Sequence, residues 1–60
     1  MDYYFDLFVL YHDEKEEQVV GRMLSHTELM VLVNHLLYER KRHFESGKPT
    51  SHYADYIRIE

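Results

Sequence analysis

Leu24-Ser25-His26-Thr27-Glu28-Leu29-Met30-Val31-Leu32-Val33-Asn34-His35-Leu36-Leu37 decides the architecture of this chain. Ser25 and Glu28 stand at capping-box spacing: the serine hydroxyl accepts from the Glu28 backbone N–H, and the glutamate carboxylate reaches back to the Ser25 N–H. Leu24 before the cap and Leu29 at the fourth helical position supply the hydrophobic staple. Leu29, Leu32, Val33, Leu36 and Leu37 then recur as i, i+3, i+4, i+7, i+8, a single buried stripe that Phe44 extends. The stretch therefore opens a helix of about 18 residues, roughly 27 Å long. Arg40-Lys41-Arg42-His43 places cations at the negative end of the helix dipole, and Gly47 and Pro49 close the helix.

Working outward, Tyr3, Phe5, Leu7, Val9 and Tyr11 alternate with Tyr4, Asp6, Phe8, Leu10 and His12. Period two with both faces largely apolar describes a central strand over residues 3–11. Asp13-Glu14-Lys15-Glu16-Glu17 is wholly charged and suits a solvated hairpin loop. A second strand follows from Gln18 to Leu24, in which Gly21 marks a bulge or a close approach. A third runs from Tyr53 to Ile59, with Tyr53, Ile57 and Ile59 on one face and Ala54, Tyr56 and Arg58 on the other. Pairing the third strand beside the first keeps the most apolar strand in the middle. The expected fold is α+β: a ββαβ chain forming one domain over residues 1–60, a three-stranded antiparallel sheet in order 2-1-3, and one helix packed on one face. The helix is expected on the odd face of strand one.

A chain of 60 residues buries only about 60% of the surface its unfolded form exposes. With no cysteine, disulfides and thiolate zinc sites are excluded, so a second copy or a partner is the expected source of further burial. The longest apolar run, Leu29 to Val33, is far short of the roughly 20 residues of a membrane span. The acidic N-terminus does not read as a secretory leader, and the aromatic content argues against disorder. A cytoplasmic protein is expected. Residues 1–30 carry Asp2, Asp6, Asp13, Glu14, Glu16, Glu17 and Glu28 against Lys15 and Arg22, while the second half is slightly basic. A net charge of −4 repels phosphate and points towards a basic protein partner rather than nucleic acid.

The surfaces follow from this plan. One helix covers one sheet face, so the other is expected to expose Tyr4, Phe8, Leu10 and Tyr56, with Val19 or Val20 and Met23 beside them, as a homodimer interface. On the helix side opposite the leucine stripe, Val31, His35, Tyr38 and Arg42 form a second contact candidate, because Tyr and Arg are enriched at interface anchors. Asp13, Glu14, Glu16 and Glu17 are the third. His35, Glu39 and His43 are spaced four apart, but three polar residues on a solvated helix face explain them without a metal. Ser25, Thr27, Ser46, Thr50 and Ser51 sit at a helix cap or in the Gly-Pro loop, where turn chemistry accounts for them, so no catalytic residue and no cofactor is assigned. Arg40, Lys41, Arg42 and His43, with Lys48 and interleaved Tyr38, Phe44 and Tyr53, carry the alternative of a small nucleic-acid-binding module.

Taken together, an acidic cysteine-free chain with an aromatic-rich hairpin, one capped helix and a last strand resembles small host-takeover proteins of bacteriophages, most closely the dimeric phage inhibitors of uracil-DNA glycosylase. The resemblance is one of architecture and composition, and it transfers no individual residue. It implies a non-enzymatic inhibitor that mimics DNA with carboxylates and binds a nucleic-acid-handling host protein in the host cytoplasm. A structural or regulatory homodimer is the other reading.

Overall fold

In the computed structural model, residues 3–47 and 52–60 are described. Strand β1 spans Phe5–Tyr11, β2 spans Gln18–Leu24, helix α1 spans His26–Ser46 and β3 spans Ala54–Ile59. The sheet has the order β2-β1-β3, antiparallel throughout. The apolar strand thus takes the centre, where its backbone pairs on both sides and neither of its faces needs water. Tyr3 and Tyr4, expected within this strand, precede it and are exposed.

Helix α1 begins as its first turn dictates. The Ser25 hydroxyl accepts from the Glu28 N–H at 3.2 Å, and a Glu28 carboxylate oxygen accepts from the Ser25 N–H at 3.2 Å. Leu24 and Leu29, the staple positions, both lie in the core. The helix runs 21 residues and stops at Gly47, which takes the left-handed conformation (φ 66°) that a Cβ disfavours. Pro49 lies outside the described residues. Among the described residues no helix is long and apolar enough to cross a membrane.

The core confirms the odd face of β1: Leu7 and Val9 are fully buried with Leu24, Leu29, Leu36 and Ala54, and Phe5, Tyr11, Val20, Leu32, Val33 and Ile57 pack around them. Two details of the expected packing change. Leu37 and Phe44 are exposed, because a straight helix touches the sheet along a strip narrower than the leucine stripe. Ala54 joins Ile57 on the core side instead of opposing it. The cause is a register shift: Leu10 pairs with Tyr56 but Tyr11 pairs with Ala54, so Asp55 is an extra residue that bulges outward.

Gly21 is flanked by irregularities on both sides, since Leu7 pairs with Gly21, Phe5 with Leu24 and Phe8 with Val19. A Cβ on Gly21 would meet both δ carbons of Leu24 at 3.0 Å, so the missing side chain makes room for a core leucine. Opposite Asp6 stand two residues, Arg22 and Met23, and Met23 takes a φ of 54°. The Asp6 carboxylate holds this bulge by accepting from the Met23 N–H at 3.0 Å and from Arg22 Nη1 at 3.2 Å.

Candidate protein-binding surface

At the hairpin tip, the Glu14 N–H donates to the Tyr11 carbonyl at 3.0 Å and turns the chain. Asp13, Glu14, Lys15 and Glu16 are exposed on this turn. Glu17 is not part of that group, which corrects the expectation of four free loop carboxylates. Its two oxygens accept from Arg58 Nε at 3.1–3.2 Å and from Nη2 at 2.7 Å, and Oε2 accepts from the Tyr56 hydroxyl at 2.9 Å. A two-pronged guanidinium fork of this kind fixes the arginine's plane as well as its position.

The fixed plane matters because of what lies beneath it. Arg58 pairs across the ladder with Phe8, and its guanidinium carbon sits 4.1 Å from the Phe8 ring centroid. Arg22 approaches the same ring at 5.5 Å. Phe8 is consequently only 8% exposed. It belongs to a buried stack and not to an uncovered apolar face, a second correction. On the same side of the sheet Leu10 is half-buried, while Val19 and Tyr56 are exposed, as is Met23 at the bulge. Val20 turns to the core. Charge therefore roofs the open sheet face over Phe8, while Val19, Tyr56 and Met23 stay exposed around it.

Arg58's fork, and after it the Tyr56 hydroxyl, holds the Glu17 carboxyl below the ordinary carboxylate range. The same contact raises the Tyr56 phenol. A carboxylate whose pKa is lower folded than unfolded stabilises the fold above its unfolded pKa, about 4.3, and loses that contribution as pH falls through the folded value. The stability gap between wild type and Glu17→Gln is therefore expected to be constant from about pH 5 to about pH 9, and to narrow from about pH 4 downward until it closes as pH falls through the folded value. Denaturant titrations followed by circular dichroism across this range check it. A gap that persists undiminished into strong acid would exclude the ionic fork as its source.

The tip also gathers rings. Tyr11 stacks on His52 (3.8 Å), and Tyr53 is stacked by His12 (4.6 Å) and by His43 from the helix (4.1 Å), with Phe44 edge-on at 5.3 Å. Tyr53 is 7% exposed. Since the hairpin, the start of β3 and the last turns of α1 meet there, the acidic tip and the helix C-terminus share one end of the molecule. The bulge at Asp55 turns that carboxylate outward beside His12, at 3.4 Å, while His52 pairs with Asp13. Asp55 is a fourth exposed acid of this end that alternation alone assigns to the side of Tyr53 and Ile57. Among the described residues, no lysine or arginine pairs with Asp13, Glu14, Glu16 or Asp55. Of the helix cations, Lys41 pairs with Glu45 and Arg40 lies over Phe44. Lys48 lies outside the described residues.

The remaining candidates separate. His35 meets Glu39 at 3.1 Å, but His43 is half-buried against Tyr53, so the three do not converge on one point. Asp13, Glu14 and His52 bring ligand atoms within 4.8 Å of one another, all exposed. Their ion pair and the turn account for that proximity. Ser25 is spent on the cap, and the Ser46 hydroxyl donates to the His43 carbonyl. Thr50 and Ser51 lie outside the described residues. Val31, His35, Tyr38 and Arg42 are all exposed along the helix, as expected, and Val31 borders a shallow groove of about 310 Å³ lined also by Leu24, Thr27, Glu28 and Leu32. Comparison with known proteins gives no matching family, no matching curated protein and no matching solved structure.

Proposed function

We propose that this protein is a non-enzymatic binding protein, an inhibitor in the manner of the phage proteins it resembles, which engages a basic nucleic-acid-handling protein through the acidic end of its sheet. The observation that carries this reading is the set of four exposed carboxylates, Asp13, Glu14, Glu16 and Asp55, facing only histidine partners at one end of the molecule. Carboxylates in such an array take the places of phosphates on a basic cleft, and complementary charge of this kind raises the encounter rate above all. Glu17 has no part in the contact, because its oxygens are committed to Arg58 and Tyr56.

The test uses a basic protein retrieved from cell extract on the immobilised chain, with duplex DNA as competitor. An Asp13→Asn, Glu14→Gln, Glu16→Gln variant is expected to retain the wild-type melting temperature, since exposed loop changes stay within about 0.5 kcal/mol. Its association is expected to slow about tenfold or more and its salt dependence to flatten, with dissociation little changed. Duplex DNA should displace the wild type from its target. Unchanged association and an unchanged salt slope would refute the carboxylate reading. A faster dissociation of Tyr38→Ala in that case would assign the contact to Val31, His35, Tyr38 and Arg42.

A further inference from the structure

Helix α1 carries an apolar strip that the sheet leaves uncovered. Leu29 and Leu36 are its two buried residues and mark the inward direction. At 100° per residue, Met30, Leu37 and Phe44 fall within about 40° of one another, roughly a quarter turn away from that direction. They are 42%, 47% and 60% exposed, Phe44 with its ring set edge-on to Tyr53 and with Arg40 on one side of it. The spacing is seven and seven, so Met30 and Phe44 are equidistant from Leu37, about 10.5 Å along the axis on either side.

We propose that this strip is a homodimer interface in which two copies of α1 pack antiparallel about a two-fold axis at Leu37. Three observations select a second copy as the occupant. First, the strip is self-complementary: the two-fold sets Leu37 on its own counterpart and Met30 against the partner's Phe44, a thioether on an aromatic ring, twice over. Second, the charges choose the direction. A parallel pair would bring Arg40 and Lys41 against the same cations of the partner, whereas the antiparallel pair sets them against the partner's Val33 and Asn34, an apolar surface for their stems and an amide oxygen for their N–H groups. Third, the chain needs the area. Its radius of gyration is 12.5 Å, against about 10 Å for a domain of this length, so its apolar surface is spread out and not enclosed, and although Leu29, Leu36, Leu32 and Val33 seat the helix on the sheet, the flank that bears Leu37 gains burial only from another chain. The dimer places the two acidic ends at opposite extremes, free for target.

Because the chain has no cysteine, single introduced thiols report the geometry directly. Under a short bis-thiol crosslinker, Leu37→Cys is expected to link to itself, and a mixture of Met30→Cys and Phe44→Cys chains to link to each other, while Met30→Cys alone does not. Wild type is expected to weigh two chains by light scattering at about 50 µM, Leu37→Asp one chain with its helical signal retained, and Tyr4→Ala, on the sheet side, two. A wild-type mass of one chain would overturn the proposal. So would a dimeric Leu37→Asp, or self-linking of Met30→Cys as efficient as the mixed pair.

Discussion

Phe8→Ala is expected to cost about 3–5 kcal/mol, the range for removing a buried aromatic ring, and so to leave the chain largely unfolded at 25 °C. The argument is local. Phe8 is 8% exposed although it lies on the side of the sheet away from the helix. Its cover is Arg58, held flat by Glu17, with Arg22 at the rim. Truncation opens a void beneath a guanidinium whose plane is already fixed, so the site collapses poorly and the cavity cost stands. A small domain has on the order of 5 kcal/mol to lose, and each kcal/mol moves the midpoint by about 4–8 °C. Phe8→Leu, which keeps most of the volume and gives up the ring face, is expected to cost less, about 1–1.5 kcal/mol. Thermal melts of both variants decide the matter. A Phe8→Ala chain that melts with the wild type but halves its mass would make Phe8 a contact residue between copies and the stack incidental.

Tyr53→Ala is expected to cost about 3 kcal/mol or more, with an effect distributed unlike that of Phe8. The Tyr53 ring is where the helix C-terminal turns meet the sheet, because His12 and His43 stack on it and Phe44 abuts it. Its carbonyl also accepts the His12 N–H at 2.8 Å, a bond that the substitution leaves in place. Loss of the ring should therefore loosen residues 40–46 while the capped N-terminal turns stay ordered. Amide hydrogen exchange is expected to speed up by tenfold or more at Arg42 to Glu45, with Leu29 to Val33 following only the global stability. Uniform acceleration along α1 would show that the ring stack is no local tether.

Much of this was legible because it depends on neighbours in sequence. The capping box at Ser25 and Glu28, the bounds of β2, the central place of β1 and the sheet order all follow from short-range pattern and from the direction each element must run. What alternation could not supply is register. One bulged residue, Asp55, moves Ala54 into the core and turns a carboxylate towards His12. Nor could a charge run show that Glu17 differs from Glu16. The distinction arises only when pairing of β1 with β3 brings Tyr56 and Arg58 alongside, 39 and 41 positions away. A pattern of apolar residues likewise counts Phe8 as exposed, because arginine is scored as polar whether it points to water or lies on a ring.

Every extra residue in the sheet lies on an outer strand: two interruptions on β2, around Gly21, and one on β3, at Asp55. A flat outer strand offers its unpaired N–H and C=O groups as a template on which another chain can grow, and a bulge spoils that template by twisting the edge and breaking the repeat. Here both borders are spoiled, one of them fastened by the Asp6 carboxylate. A sheet built from a chain with nine aromatics among 60 residues would otherwise be prone to fibrillar growth. Protection of these borders against edge-to-edge growth thus rests on irregularity at the margins as much as on charge.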